Sequence, residues 1–485
     1  MVIASTSKTR IYQVALGAIA LVALGLRIFP FFGPDGALGY QFDYDEGVYY
    51  SAASYLVRGV FPWRDFVFVH PPGMLLFLAA TSGWSQSFLG IAGAFALSRW
   101  VAALCGVIST LLVARIVSSA EGSPPWAGLL AAAFYATYPE LVTVERGPFL
   151  EPVLNLVCLT LVLVVATAST SPNRARLLLV AGGLGGLAIA IKAWAVIWIV
   201  GALWAVGSFA SRRDLFRAAL AGLLVGSVLI VPFAALAPDA FFTQVARFHL
   251  WRPPDGLISR GARAGEIVSI RHLASPLLAL LAVGLLTFRR QWTPLARLTV
   301  CAWVLTIVAF FASAAWWDQY NAHLIASEAV VAGGLFSLVP PRVRAVFALL
   351  SLVSLGYSIV HSIRRTLPVN TEHLAVARSS LHDTADCLFT FEPATSLAAG
   401  RLPPLETGPL IDNYAQQLLT AVQGGKRFGN AGEAWASSDV IPPGLLGCRY
   451  VLVGARGAAE ISLKTFGATH APVVVDGLEL WERIR

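Results

Sequence analysis

Residues 41–50 read QFDYDEGVYY, and residues 66–73 read FVFVHPPG. Three carboxylates, Asp43, Asp45 and Glu46, lie within four consecutive positions of the first segment, shortly after a long apolar run. Most of the chain that follows is apolar enough to lie in a membrane, where ionisable residues are costly and usually functional. We therefore predict that this acidic segment forms one wall of a functional site at a membrane surface.

The composition indicates a membrane protein with many spans. The chain has 485 residues, of which 57% are hydrophobic and 13% are charged, whereas about a quarter of the residues in soluble domains are charged. The net charge of +8 comes from short Arg and Lys clusters between apolar runs, which is typical of cytoplasmic loops. The charge therefore does not indicate a nucleic-acid partner.

The apolar runs extend to about residue 360, and we interpret them as about eleven transmembrane helices. They comprise residues 11–32, 88–118, 125–139, 150–167, 177–191, 193–209, 216–237, 273–288, 295–315, 322–339 and 343–360. Because basic clusters remain in the cytoplasm, we predict a cytoplasmic N-terminus and place the loop 33–73 outside. The expected location is the cytoplasmic (inner) membrane of a bacterium.

The composition changes near residue 366. We predict a helical membrane domain over residues 1–365 and a small extracytoplasmic α/β domain over residues 366–485, because apolar runs there shorten to strand length. The second domain contains Cys387 and Cys448, and the sequence leaves open whether they form a disulfide.

The acidic segment suits two chemical roles and one structural role. A carboxylate such as Asp45 could be the general base that deprotonates an acceptor hydroxyl, and neighbouring carboxylates would raise its pKa toward neutrality. Asp43 and Asp45 could instead hold a divalent cation through their oxygens. Alternatively, either residue could cap the helix that begins near Glu46.

Other candidate binding residues are predicted on the same outer face. Arg146 could bind a phosphate or sugar through its two-pronged guanidinium, and Glu151, at a helix start, is expected to point into the bundle. Lys192 is a lone cation in the apolar stretch 177–208 and would suit a lipid-linked phosphate, although snorkelling to the membrane surface is the alternative. His70 is expected to bind substrate or to fix the return of its loop.

The polar loop 238–272 is rich in cations, including Arg247, His249 and Arg252. A positive loop on the outer side indicates either an anionic substrate or contact with anionic lipid headgroups.

The stretch WWDQY at residues 316–320 combines aromatic rings with polar groups, as sugar sites do. From this region we select Asp318, Tyr320 and His323. An aromatic belt at the membrane surface is the alternative explanation for the tryptophans.

Taken together, these motifs resemble the GT-C superfamily of polyprenyl-phosphate-sugar-dependent glycosyltransferases. Over roughly residues 10–360, the chain looks like the bacterial family-39/83-type enzymes, which are similar to protein O-mannosyltransferases and to the lipid A aminoarabinose transferase. The residues that carry the resemblance are Asp45-Glu46, His70-Pro71-Pro72-Gly73, Arg146 with Glu151, and Gly186 through Lys192.

The resemblance implies an inverting transfer of a sugar from a polyprenyl phosphate, with Asp45 as the base and Glu46 as its partner. Glu151 matches a second acidic position at which relatives often have Asp. Arg146 and Lys192 would hold the donor phosphate. The expected partners are therefore this lipid donor, membrane lipids and an extracytoplasmic acceptor of undetermined type, with a divalent cation as an optional cofactor.

A transporter or flippase for a lipid-linked saccharide is the alternative function. It predicts ionisable residues at mid-membrane depth and internal repeats, and the sequence displays neither pattern. A catalytically inactive scaffold is a third hypothesis, which an intact Asp45-Glu46 pair disfavours.

Overall fold

The structure, a computed structural model, describes most of the chain. The described residues are 2–33, 35–39, 43–256, 259–267, 274–364, 381, 387–390, 392–404, 412–423, 448–452, 470–475 and 478–483.

Helices joined by short connections form the first part of the molecule. They are α1 (Val2–Ile28), α2 (Tyr44–Val57), α3 (Gly73–Ser118), α4 (Pro125–Thr137), α5 (Pro139–Val144), α6 (Leu150–Thr170), α7 (Arg174–Ile191), α8 (Val196–Val206), α9 (Arg212–Leu236), α10 (Pro238–Phe242), α11 (Phe248–Trp251), α12 (Arg260–Ile267), α13 (Ala274–Arg289), α14 (Pro294–Ala312), α15 (Asn321–Leu338) and α16 (Pro341–Arg364). Phe29–Phe32, Gly36–Leu38, Ala193–Ala195 and Asp318–Tyr320 form 3-10 turns, and Thr243–Arg247 forms a π-helical turn. A short parallel ladder pairs β1 (Asp255–Gly256) with β2 (Ala315–Trp316).

A polytopic helical membrane fold is confirmed. Within the described residues, eight helical segments are long and apolar enough to cross a membrane, and Ala193–Val206 and Ala274–Arg289 are shorter apolar helices. Helices occur at every predicted apolar segment. The count of eleven spans stays a prediction, since length and composition support eight.

The structure corrects two predicted boundaries. Helix α3 begins at Gly73 rather than near residue 88 and has 46 residues, which would extend about 70 Å if straight. Such a length exceeds the roughly 30 Å thickness of a bilayer core. Gly90, with φ of 67°, interrupts the helix. The segment 238–272 is not a simple polar loop, since α10, α11 and α12 occupy most of its described residues.

Two buried ion pairs fasten the helices that carry the site. Arg27 of α1 donates from Nε to Glu145 Oε2 over 2.7 Å, and Arg99 of α3 donates from Nε to Glu46 Oε2 over 3.0 Å. All four side chains are almost completely buried. Removing one partner of such a pair leaves an uncompensated buried charge, which costs about 3–5 kcal/mol.

The C-terminal part combines strands with helices, as predicted. The strands are β3 (Leu388–Thr390), β4 (Tyr450–Leu452), β5 (His470–Val475) and β6 (Leu478–Arg483), and the helices are α17 (Pro393–Ala398) and α18 (Asn413–Gln423). The sheet order is β3-β4-β6-β5, with β3 and β4 parallel and the other neighbours antiparallel. Cys387 and Cys448, directly before β3 and near the start of β4, form a disulfide.

Candidate functional site

A cavity of about 260 Å³ lies where the ends of several helices meet the C-terminal part. Its walls come from the start of α2, the turn before α3, the start of α6, the end of α7, α11, the turn before α15, and the segment around α18. Eight predicted site residues line it, namely Asp43, Asp45, His70, Glu151, Lys192, His249, Arg252 and Tyr320. Residues that are far apart in the sequence are therefore brought to one place.

The first turn of α2 assigns different roles to the three adjacent acids. Asp43 is the N-cap, and its side chain accepts a hydrogen bond from the Asp45 backbone N–H over 3.0 Å. Glu46 completes a capping box, since its Oε1 accepts from the Asp43 backbone N–H over 2.8 Å. The cap fixes the start of the helix, and Asp45 lines the cavity.

Asp45 is half-buried, and its carboxylate has one hydrogen-bond donor among the described residues. Gln319 donates from Nε2 to Oδ2 over 2.9 Å, which leaves Oδ1 as an acceptor for a substrate. Burial first, and then the nearby carboxylates, raise the pKa of Asp45 to about 8 against the opposing effect of Lys192. These carboxylates are Asp43, Asp412 and Glu151. Such a carboxylate binds a proton more strongly than an ordinary one and titrates close to neutral pH.

Lys192 and Glu151 form a buried ion pair beside Asp45. Lys192 Nζ donates to Glu151 Oε1 over 2.6 Å, and the same ammonium lies 5.5 Å and 5.0 Å from the ring centroids of Trp194 and Tyr320. An ammonium has three N–H donors, so further donors remain for a bound anion. Its position follows from the end of α7, where the backbone becomes extended at Lys192 before a 3-10 turn.

The His-Pro-Pro-Gly turn packs against the end of α7. A Cβ on Gly73 would lie 2.6 Å from the carbonyl carbon and oxygen of Ala190, so only glycine fits this approach. His70 lies in hydrogen-bond contact with the Tyr49 hydroxyl, with Nε2 at 3.2 Å. Burial holds the pKa of His70 well below its usual range, and the positive charges that His249, Lys192 and Arg252 carry when protonated act in the same direction. His70 is therefore neutral near pH 7.

Arg252 and His249 also line the cavity, and Arg252 extends its cationic side. Arg252 pairs with Asp255 and lies over the Phe248 ring, 5.2 Å from its centroid. The His249 Nε2 contacts the Val69 carbonyl over 2.7 Å, and because a carbonyl only accepts, this nitrogen carries the proton.

The other five predicted site residues are not among those that line the cavity: Glu46, Arg146, Arg247, Asp318 and His323. Glu46 faces Arg99 in the buried pair, and Arg146 donates to the Leu26 carbonyl over 2.6 Å at the end of α1. Arg247 is exposed and contacts neighbouring aromatic rings of its own segment. Asp318 begins the 3-10 turn that carries Gln319 and Tyr320.

His323 belongs to a hydrogen-bond network inside the bundle. Trp198 Nε1 donates to His323 Nε2 over 3.3 Å, so the proton of a neutral ring is on Nδ1, which faces Asn155 Oδ1 at 3.1 Å. Asn155 Nδ2 in turn donates to the Ala322 carbonyl over 2.8 Å. This arrangement joins α6, α8 and α15 and has the character of a packing network.

The sequence did not identify several residues of the cavity wall, among them Tyr44, Gln319, Glu392, Asp412 and Tyr414. Gln319 lies inside the aromatic stretch that was singled out. Asp412 directly precedes helix α18, where an acid usually reads as an N-cap.

A divalent cation was one expectation for Asp43 and Asp45. Among the described residues, no group of three or more His, Cys, Asp or Glu side chains is arranged to hold a metal ion, and Asp43 is engaged as the N-cap. These side chains alone therefore make an incomplete ligand set, and a cation at Asp45 would take further oxygens from a substrate phosphate.

This fold is that of the GT-C glycosyltransferases, as predicted. A family model described as dolichyl-phosphate-mannose-protein mannosyltransferase matches residues 69–237, about a third of the chain. The match begins next to the His-Pro-Pro-Gly turn and includes Glu151 and Lys192. Comparison with curated proteins found no match.

Solved structures are similar over most of the chain. ArnT from Cupriavidus metallidurans bound to undecaprenyl phosphate has a TM-score of 0.60 at 13% identity and covers 98% of both chains. AglB, the oligosaccharyltransferase of Archaeoglobus fulgidus, in complex with an inhibitory peptide and a dolichol-phosphate, has a TM-score of 0.56 at 11% identity. That match covers 82% of this chain and 64% of AglB. At these identities the likeness establishes the fold alone.

Proposed function

We propose that this chain transfers a sugar from a polyprenyl-phosphate-linked donor to an extracytoplasmic acceptor. The observation that carries the proposal is the cavity in which Asp45 and the Lys192–Glu151 pair meet at one end of a GT-C fold. A base and a cation in one cavity suit a reaction in which a hydroxyl loses a proton and a phosphate departs. The lipid phosphates bound by ArnT and AglB support the choice of donor.

In the proposed reaction, Asp45 accepts the proton of the acceptor hydroxyl, and the hydroxyl oxygen attacks the anomeric carbon of the donor sugar. The bond from that carbon to the phosphate oxygen breaks, its electron pair remains on the phosphate, and the configuration inverts. The leaving phosphate is already charged, so nearby cations stabilise its departure without a protein acid. Lys192 and Arg252 are the residues we assign to this role, and Glu46 is assigned to holding α2.

Two features support an extracytoplasmic cavity. Helix α7 runs from the basic Arg174 and Arg176 to Lys192, and its 18 residues separate the two ends by about 27 Å. Basic ends are retained in the cytoplasm, which puts Lys192 on the opposite side. The Cys387–Cys448 disulfide in the part that covers the cavity also suits an oxidising compartment.

The test uses the purified chain in lipid nanodiscs, a panel of radiolabelled polyprenyl-phosphate sugars and cell-envelope extract as acceptor. We expect consumption of one donor, release of polyprenyl phosphate and label on the acceptor. Asp45→Asn should lower the rate by about 10²–10⁴-fold, the usual contribution of a general base. Asp65→Asn is the matched control, because Asp65 is a carboxylate of the α2–α3 connection that pairs with Arg64 outside the cavity.

Two results would contradict the proposal. One is that no donor of the panel is consumed under conditions in which the protein is folded. The other is that a labelled donor crosses the bilayer of a proteoliposome with its sugar still attached, which would favour the transporter hypothesis.

A further inference from the structure

The C-terminal part packs directly onto the helix that carries Asp45. In α17, the backbone of Ala394 lies so close to α2 that a Cβ on Gly47 would overlap its nitrogen. Farther along α2, the Tyr55 hydroxyl donates to the Pro403 carbonyl. A close backbone approach and a hydrogen bond therefore hold the C-terminal part against α2.

Helix α18 makes a second contact, through apolar side chains. Its Ala415, Leu418 and Leu419 are buried against Val67, Val69 and Phe248, which belong to the turn before α3 and to α11. Both of these segments also contribute to the cavity wall. The same helix thus covers the cavity and packs on two of its walls.

The first residue of this contact is a buried acid. Asp412 precedes α18, and its Oδ1 accepts hydrogen bonds from the Ala415 backbone N–H over 2.9 Å and from the Tyr44 hydroxyl over 3.1 Å. The Tyr44 hydroxyl in turn accepts from the Tyr414 backbone N–H over 3.0 Å. Tyr44 is the residue before Asp45, so these hydrogen bonds join the C-terminal part to the immediate neighbour of the proposed base.

We infer that Asp412 is a positioning residue for Asp45 and that the C-terminal part completes the catalytic site. This inference rests on the function proposed for Asp45. An asparagine would serve equally well as N-cap and as acceptor for Tyr44, so the architecture does not require the charge of Asp412. Its negative charge acts on the cavity, where it stabilises the protonated form of Asp45 and makes this residue the stronger base.

Charged groups from several elements around the cavity shift the pKa of Asp45. Asp43 lies on its own helix, Glu151 on α6, Lys192 at the end of α7 and Asp412 before α18, and Tyr49 and Tyr320 also face the cavity. Three cavity acids come from other elements, namely Glu151, which is paired with Lys192, Glu392 and Asp412. Of these, Asp412 has the largest effect on Asp45, and its docking brings negative charge to the cavity.

The first test is Asp412→Asn, which keeps the cap and the Tyr44 hydrogen bond and removes the charge. Removing a like charge from a partly solvated cavity lowers the pKa of Asp45. We therefore expect the acidic limb of the kcat/KM profile to move to lower pH by about half a pH unit or more. Asp65→Asn should leave the profile unchanged. A purely structural role would lower kcat without moving the limb, and that result would overturn the inference.

A second measurement does not depend on turnover. A water-soluble carbodiimide reacts with protonated carboxyl groups, so the pH at which labelling of the Asp45 peptide falls by half reports its ionisation in wild type and in Asp412→Asn. A lower midpoint in the variant supports the inference even if no donor is consumed, in which case only the proposed function fails. An unchanged midpoint in an active enzyme refutes the inference and leaves the proposed function intact.

Gly47→Ala tests the dependence on docking. The added Cβ should separate α2 from α17, lower the labelling midpoint of Asp45 in the same direction as Asp412→Asn and reduce turnover. Gly17→Ala is the control, because a Cβ at Gly17 meets no atom within 4 Å. Full activity and an unchanged midpoint in a folded Gly47→Ala protein would show that the C-terminal part is dispensable for the site and overturn the inference.

Discussion

Replacement of Lys192 separates its structural role from its proposed catalytic role. Lys192 and Glu151 are buried to more than nine-tenths, so Lys192→Met leaves an uncompensated carboxylate and should reduce the free energy of unfolding by about 3–5 kcal/mol. An ammonium about 4 Å from a phosphate at an effective dielectric of 20 contributes about 4 kcal/mol, which corresponds to about a thousandfold in rate. The double variant Lys192→Met/Glu151→Gln removes both charges and should recover most of the stability while remaining inactive.

The assay combines thermal unfolding in detergent with turnover of the polyprenyl-phosphate sugar. Arg449→Met is the control, since the side chains of the Arg449–Glu482 pair are 41% and 35% exposed and ion pairs at the surface contribute about 0–1 kcal/mol. The decisive comparison is between the single and the double variant. Recovery of activity together with stability in the double variant would refute the phosphate role and reduce Lys192 to a neutraliser of Glu151.

Three further predictions follow from the same geometry. Gly73→Ala should lower turnover at least tenfold in folded protein, because its Cβ would press on the backbone of Ala190 just before the cavity lysine; unchanged kinetics would show that this contact yields easily. Replacing Cys387 and Cys448 by serine removes a disulfide that joins residues 61 positions apart. The loss should destabilise the C-terminal part by about 4 kcal/mol on the chain-entropy estimate, and proteolysis with and without reductant measures the effect. Because only the ionised form of Asp45 accepts a proton, kcat/KM should rise with pH and level off above about 8, and a profile already flat at pH 6 would contradict this base.

The sequence singled out two residues of the cavity for a physical reason. Ionisable residues are expensive in apolar segments, so Glu151 and Lys192 stand out against their surroundings, and the distribution of basic loops assigns each to a side. No pairing of the two residues follows from that argument. Their contact depends on where α7 ends relative to α6, which is decided by packing, including the approach of Gly73.

Adjacent residues of a motif proved harder to separate. Asp45 and Glu46 follow each other in the chain, but successive residues of a helix point about 100° apart. Asp45 consequently faces the cavity, whereas Glu46 turns toward Arg99 of α3. The sequence contains no signal for this division, because the partner arginine is distant in the chain and lies in a segment that reads as an ordinary span.

The C-terminal acids were missed for the opposite reason. In a polar segment an aspartate such as Asp412 is unremarkable, and nothing local indicates that it docks beside Asp45. Strands and helices do occur in this part, as expected for the predicted α/β domain, so composition sufficed for local structure. This acid reaches the cavity through tertiary contacts, namely the approach of Gly47 to Ala394, the packing of α18 and the hydrogen bond with Tyr44.

The buried ion pairs of Arg27, Arg99 and Lys192 differ by the choice of cation. Arg27 and Arg99 each direct two guanidinium nitrogens at one carboxylate and further donors at backbone carbonyls, and this rigid arrangement fixes helices in place. Lys192 makes one hydrogen bond to its carboxylate and borders a cavity. A lysine has a flexible stem and donors to spare, so it can shift toward an arriving phosphate without losing its partner. The ion pairs of Arg27 and Arg99 therefore hold helices together, whereas the ion pair of Lys192 leaves its ammonium available to bind substrate.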